Sequence, residues 1–141
     1  MTRGRVLAVG CALGTLALIS GANPLSAQTL APGLAGAWTV NAPDCKRLFE
    51  RRGGGLAYRA PVDKFAQAAI IEPGRILLPA STCRVQATSR TKDGIKVTAE
   101  CNDGISYTNQ TMQIQVNASG GIVYSPTGDP ALNTTFVKCP T

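Results

Sequence analysis

The chain has 141 residues, 14 Lys and Arg, 8 Asp and Glu, no His, five Cys and a formal net charge of +6. This length is typical of a single domain. The absence of histidine excludes a Ser-His-Asp triad, a Cys-His dyad and imidazole metal ligands. Aromatic residues make up only 5% of the chain, too few for a nucleic-acid stacking surface. A small, mildly basic globular domain is the class that remains.

The first 27 residues have the pattern of an export signal. Two arginines precede an apolar run over 6–19, which is shorter than the ~20 residues that span a bilayer. Small residues follow where a signal peptidase reads, so we expect cleavage after Ala27, with Ala22 as the alternative. The competing interpretation is an uncleaved membrane anchor. Cleavage removes both arginines, lowers the net charge from +6 to +4 and predicts a periplasmic or secreted protein without a transmembrane segment.

The rest of the chain is predicted to form a Pro/Gly/Ala-rich, flexible lead-in over 28–36 and one small β domain over 37–141. Removal of the signal also removes Cys11 and leaves an even number of cysteines. Four cysteines in an exported domain are typical of two disulfides. No close pair of the C-x₂-C kind suggests a metal site. The four are Cys45, Cys83, Cys101 and Cys139.

One short helix is predicted near the start of this domain, after a first strand at Trp38. Asn41 or Asp44 is a suitable N-cap, and three consecutive glycines over 53–55 end the helix. Cys45 lies on the face that packs inward, with apolar residues three and four positions later. At about two turns, the helix has to dock on a sheet to be stable.

The remaining sequence predicts mainly β structure of about eight or nine short antiparallel strands, arranged as a meander sheet or barrel or as a sandwich. Apolar and polar residues alternate over 83–88 and 95–101, which places Cys83, Val85 and Ala87 on the inner face. The inward parity changes before Met112, which predicts a β-bulge between residues 108 and 111.

Two cues for the disulfide pairing conflict. Cys83 and Cys101 are direct partners if their strands pair with residue numbers that sum to 184. A three-residue loop over 92–94 instead implies a sum of 186, which makes the two cysteines diagonal neighbours. We favour Cys83–Cys101 with Cys45–Cys139; the rival pairing is Cys45–Cys83 with Cys101–Cys139.

The segment Gly36-Ala37-Trp38 at the start of the first strand resembles the Gly-x-Trp motif of the calycin group. That group comprises lipocalins, avidins and small bacterial metalloprotease inhibitors. The resemblance implies a β-barrel in which a basic residue near the end of the last strand covers the tryptophan, and Lys138 matches that residue. It also implies that 28–35 is similar to the mobile trunk with which the inhibitors enter a protease cleft. The early helix and the four cysteines depart from the group's pattern.

No catalytic residue, cofactor or metal site is predicted. Most of the carboxylates lie beside glycine in turns, at a helix start or on outward faces, and no pattern pairs two of them across a cleft. Gly-x-Ser-x-Gly and Ser-x-x-Lys motifs are absent, and oxidised cysteines supply no thiolate. These features predict a protein that is not an enzyme.

A basic cluster is the one candidate binding feature. Six cations fall within 19 residues that contain only two acids, and in a folded domain they would attract an acidic protein or an anionic surface group. The alternative interpretation is a solvated helix face beside a basic loop. Export and the lack of interleaved aromatic residues argue against nucleic acid. The cluster consists of Lys46, Arg47, Arg51, Arg52, Arg59 and Lys64.

These observations predict a monomeric, exported, non-enzymatic binding domain that uses the basic cluster. One alternative is a small-ligand carrier with a barrel cavity, and another is a protease-inhibitor-like protein. A closed barrel with an apolar cavity of ~300 Å³ would favour the carrier, whereas a filled core would favour the surface binder.

Overall fold

The computed structural model describes residues 30–126 and 129–140. Eight antiparallel strands close into a barrel, and a separate two-stranded hairpin lies outside it. The predicted mainly-β fold with a barrel is therefore confirmed. The predicted signal over 1–27 lies outside the described residues.

The barrel is a meander except for one excursion. β1 pairs with β4 on one side and with β10 on the other, and each remaining barrel strand pairs with its chain neighbours. The barrel strands are β1 (Gly36–Thr39), β4 (Ala68–Glu72), β5 (Arg75–Leu78), β6 (Ser81–Thr91), β7 (Gly94–Asn102), β8 (Tyr107–Val116), β9 (Ile122–Ser125) and β10 (Thr134–Lys138).

The excursion between β1 and β4 covers the outside of the barrel. It contains a 3₁₀ turn (Ala42–Asp44), the helix α1 (Cys45–Leu48), and a hairpin of β2 (Phe49–Arg52) and β3 (Gly55–Tyr58). Cys45, Leu48 and Phe49 pack there against the outward side chains of β1 and β4. The domain thus has a barrel core and a second, smaller core between the barrel wall and the excursion.

The predicted two-turn helix is wrong in its length. α1 has one turn, and the chain becomes extended at Phe49, whose φ and ψ are −121° and 151°. Residues 49–52 then pair with β3 instead of continuing the helix. The apolar spacing of Cys45, Leu48 and Phe49 is satisfied equally by one helical turn followed by a strand, since all three side chains still reach the same core.

The prediction of a bulge between residues 108 and 111 of β8 is wrong, and the structure has an unpredicted bulge in β6. Val85 lies opposite Ala99, whereas Ala87 lies opposite Thr98, so Gln86 is the extra residue. Ala87 is consequently exposed, contrary to the prediction that it faces inward. β8 pairs with β7 without a shift. The predicted change of inward parity before Met112 depended on counting Tyr107 as inward-facing, whereas it faces solvent.

The disulfides are the favoured pair, Cys83–Cys101 and Cys45–Cys139. Cys83 lies directly opposite Cys101 on β6 and β7. The conflicting cue disappears because the bulge changes the register by one residue and because the turn after β6 has two residues, Lys92 and Asp93, with Thr91 opposite Gly94. Two disulfides indicate folding in an oxidising compartment.

Candidate functional site

An apolar cavity of about 290 Å³ lies inside the barrel. Residues of six strands line it, and its large side chains are mostly apolar. The large apolar residues include Ile71, Ile76, Met112, Ile114, Ile122 and Phe136. The closed barrel therefore contains a space that its own side chains do not fill.

The cavity opens at one end of the barrel. It is lined there by Lys64, Ala66 and Gln67 of the loop before β4 and by the turn at Pro79 and Ala80. The loops between β7 and β8 (103–106) and between β9 and β10 lie at the same end, because antiparallel strands place alternate connections at the same end of a barrel. We call this end the mouth.

The opposite end is closed by residues that precede and begin β1. Leu30 and Leu34 are buried in the barrel core together with Trp38. The indole Nε1 of Trp38 donates a hydrogen bond of 2.8 Å to the carbonyl oxygen of Leu34. Both leucines belong to the segment 28–36 that the sequence predicted to be a flexible lead-in, and residues 31–33 between them are exposed.

Lys138 lies over the tryptophan, as the Gly-x-Trp resemblance implied. Its Nζ is 5.3 Å from the centroid of the Trp38 ring and donates a hydrogen bond of 3.1 Å to the carbonyl oxygen of Gly33. Trp38 and Lys138 are also directly opposed on β1 and β10. The contact closes the barrel seam and the base of the cavity together.

Few polar groups reach the cavity. Tyr124 lines it, packs edge-on against Phe136 and has a pKa raised by burial. Its hydroxyl bonds to no described residue, so it is available to a ligand or to water. Lys64, Gln67 and Ser81 lie at the mouth. The arrangement suits a mainly apolar molecule with one hydrogen-bonding group.

The basic cluster is divided by the fold. Arg47 pairs with Asp44 at 3.1 Å and lies 3.9 Å from Asp63, while Glu50 accepts from two further arginines of the cluster. Exposed pairs of this kind contribute little to stability, but they neutralise charge locally. Among the described residues, the cations of the cluster without an acidic partner are Lys46, Arg51 and Lys64.

Three cations of the cluster line one shallow groove. Lys46, Arg51 and Arg59 surround an opening of about 370 Å³ between the hairpin and the barrel, with Phe49 and Leu56 on its apolar side. Lys64 instead lies at the cavity mouth, and Arg52 lines neither. The structure thus brings together half of the predicted binding residues.

The sequence alone did not reveal the cavity. Its lining residues come from strands that meet only when the barrel closes, and each reads in isolation as an ordinary core residue. Ala99, a small inward-facing residue, is fully buried but does not line the cavity.

Among the residues that the structure describes, no group of three or more acidic or cysteine residues is placed to hold a metal ion. Within the same part of the chain, the helices are too short and too polar to cross a membrane.

No protein-family model, curated protein or solved structure matches this chain. The assignment of function therefore has to come from the geometry of the chain itself.

Proposed function

We propose that this protein is a non-enzymatic carrier of a small, mainly apolar ligand, exported by the signal at residues 1–27 and cleaved after Ala27. The observation that carries the proposal is the unfilled apolar cavity, open at one end of a closed barrel. Its 290 Å³ lies at the lower limit of ordinary ligand sites, which span ~300–1,000 Å³. The ligand is correspondingly small.

The cavity chemistry supports this class of ligand. Burying apolar surface releases ~25 cal/mol per Å², so a wall of aliphatic side chains favours an apolar molecule over water. One free hydroxyl at Tyr124 orients a ligand that carries a hydrogen-bond acceptor or donor. A charged ligand without an apolar part would lose its hydration and gain no ion pair inside the barrel.

A cavity-filling variant tests the proposal, with 1-octanol as the probe. Ala69 is a buried cavity-lining residue of β4, and the larger side chain of Ala69→Leu occupies part of the cavity. Ala87→Leu is the matched control, because Ala87 is exposed on the barrel wall. Octanol at millimolar concentration should shift the methyl resonances of Ile71 and Met112 and raise Tm, since a ligand that binds only the native state stabilises it.

The expected pattern is a response in the wild type and in Ala87→Leu, and none in Ala69→Leu. An unchanged spectrum in the wild type, or equal shifts in Ala69→Leu, would refute the carrier.

The groove beside the hairpin favours a second function, docking of an acidic protein segment. Lys46 and Arg51 have no acidic partner among the described residues, and an apolar floor lies next to them. Lys46→Ser with Arg51→Ser should abolish retention on heparin at low salt, whereas Arg52→Ser, whose side chain is paired with Glu50, should change it little. Equal retention by all three proteins would eliminate this function.

Protease inhibition stays a prediction for which the cavity gives no support. A trunk that enters a protease cleft has to leave the barrel, and Leu30 and Leu34 are buried against it.

A further inference from the structure

Large apolar side chains are exposed at the mouth of the barrel. Of the six large hydrophobic residues that are exposed in the described part of the chain, four lie on the loops and strand start at the mouth: Phe65, Ile105, Tyr107 and Leu132. Val62 instead lines a groove beside α1 and the hairpin, and Val116 ends β8 at the opposite end. Isolated exposed hydrophobics are common, whereas a group around one opening indicates an interaction surface.

The most exposed members are held outward by their own loops. Phe65 and Ile105 are each 96% exposed. The Oδ1 atom of Asp63 accepts from the backbone N–H of Phe65 at 3.0 Å, and that of Asp103 accepts from the N–H of Ile105 at 2.9 Å. Side chain to backbone bonds of this type fix a tight turn. The two hydrophobic side chains thus project from turns whose shape is already set.

A third loop uses the same device. Asp129 accepts from the backbone N–H of Ala131 at 2.9 Å, and the short 3₁₀ turn that follows presents the half-exposed Leu132. Three separate loops at the mouth therefore combine an aspartate that organises the turn with an apolar residue two or three positions later.

The same aspartates place negative charge beside the apolar tips. Backbone N–H groups bond to their carboxylates without removing that charge, and the pKa of Asp103 is lowered mainly by its bonds from Ser106 and Ile105. Lys64, next to Phe65, has no acidic partner among the described residues. Without residues 1–27 the chain has 12 Lys and Arg and 8 Asp and Glu, a net charge of +4. The mouth thus has apolar tips with charges of both signs beside them.

We propose that the mouth docks on a lipid bilayer surface, into which Phe65 and Ile105, assisted by Leu132, insert. The tips stand on separate loops, whereas a protein interface of standard size buries ~800 Å² of contiguous surface per partner. Separate apolar anchors on preformed turns suit a fluid interface that needs no shape complementarity. The apolar cavity opens at the same end, so an apolar ligand would pass between bilayer and barrel without crossing water.

The proposal depends on the carrier function only for that last step, and the test separates the two. The probe is large unilamellar vesicles of phosphatidylcholine and phosphatidylglycerol with no added ligand, and the readout is the fraction of exported protein that sediments with them. Phe65→Ser with Ile105→Ser should weaken partitioning at least about tenfold, because both apolar side chains leave the interface. Both side chains are exposed, so the native fold is retained and is checked by Trp38 fluorescence.

Val116→Ser is the matched control, because Val116 is also an exposed hydrophobic, 65% accessible, but lies away from the mouth. It should bind vesicles like the wild type. Ala69→Leu should bind them too, which keeps the result independent of the cavity. The residues that precede Leu30 in the exported protein are identical in all variants.

Three results would overturn the proposal. The first is no vesicle binding by the wild type, which would leave a protein partner as the reason for the exposed rim. The second is an equal loss in Val116→Ser. The third is wild-type binding that 0.5 M salt abolishes, together with undiminished vesicle binding by the Phe65→Ser, Ile105→Ser double variant. That pattern would assign the contact to cations elsewhere.

Discussion

At the scale of single residues, Lys138 connects three parts of the molecule. Its side chain lies over the Trp38 ring and bonds to the carbonyl of Gly33. Gly36 permits this close approach, because a Cβ there would lie 3.0 Å from the Lys138 Cε and because its φ is +134°. The glycine of the Gly-x-Trp segment is thus explained by the neighbouring lysine and by the backbone conformation.

Replacement of this lysine should cost measurable stability. Lys138→Ala removes one exposed cation–π contact and one hydrogen bond, so the free energy of unfolding should fall by about 1–2 kcal/mol. Urea titration followed by the fluorescence of the single tryptophan measures it. Lys96→Ala, on an outward position of β7, should change the free energy by less than about 0.5 kcal/mol. Equal losses in both variants would mean that the contact with Trp38 contributes nothing.

Tyr58 ties the outer hairpin to the barrel wall. Its hydroxyl donates a hydrogen bond of 2.9 Å to the carbonyl oxygen of Leu77, and burial raises its pKa far above the usual value of about 10. The folded state therefore retains the phenolic proton at a pH where the unfolded chain has lost it. This contribution is complete below about pH 10 and is lost as pH rises towards the folded-state pKa.

We expect alkaline destabilisation that depends on this residue. Between about pH 10 and pH 12, the free energy of unfolding of the wild type should fall more steeply than that of Tyr58→Phe. At pH 7 the variant should be less stable by about 1 kcal/mol, because the Leu77 carbonyl loses its partner. Tyr107→Phe, which alters an exposed tyrosine, should retain the wild-type slope. A parallel fall in wild type and Tyr58→Phe would remove Tyr58 from the explanation.

At the scale of elements, the ribbon of β6 and β7 shows where sequence patterns succeed and fail. The alternation predicted both strands and the partnership of Cys83 with Cys101, because local polarity follows the faces of a sheet. It failed at Ala87, since one extra residue at Gln86 reverses the faces beyond it. The bulge accounts for one residue of the difference between the cysteine register and the predicted loop register, and the two-residue turn accounts for the other.

β8 lies so close to the start of β7 that residue 94 has no room for a side chain. A Cβ placed on Gly94 would lie 2.2 Å from the carbonyl oxygen of Ile114 and 3.0 Å from the Cα of Gln115. Both are backbone atoms in the middle of a paired sheet, so they cannot move without breaking ladder hydrogen bonds. Gly94 is therefore required for packing between strands.

Gly94→Ala should destabilise the domain by about 3 kcal/mol, through overpacking against β8. Gly74→Ala is the control: nothing lies within 4 Å of its added Cβ, and its stability should change by less than about 1 kcal/mol. Thermal unfolding measured by circular dichroism distinguishes the two. A Gly94→Ala protein with wild-type Tm would show that the strands are not as closely apposed as the structure has them.

At the scale of the whole molecule, the candidate site depends on barrel closure, which no local pattern encodes. The basic residues could be identified because charge is visible in the sequence. Their ion pairs with Glu50 and Asp44 could not be predicted, nor could their division between the groove and the mouth. The cavity and the exposed tip at Phe65 depend on which loops share an end, and that depends on β1 pairing with both β4 and β10.

That closure has a weak place, the seam between β1 and β10. β1 and β10 share two directly opposed residue pairs, including Trp38 with Lys138, whereas β1 and β4 share four. A further hydrogen bond of 2.8 Å runs from the N–H of Cys139 to the carbonyl of Ala37, and the disulfide of Cys139 with Cys45 fixes the end of β10 to the excursion. The disulfide therefore holds the barrel closed.

Cys45→Ser with Cys139→Ser should lower the free energy of unfolding by about 4.5 kcal/mol, because the bond closes a loop of nearly the whole domain. The amides of Thr39 and Val137 should lose hydrogen-exchange protection beyond that global loss, since the seam then opens without unfolding the ribbon of β6 and β7. Cys83→Ala with Cys101→Ala is the comparison, with a loss of about 3 kcal/mol and no selective opening of the seam. If the protection of Val97 in β7 falls as much as that of Thr39 in the first variant, the disulfide stabilises the domain as a whole and the seam is not its weak place.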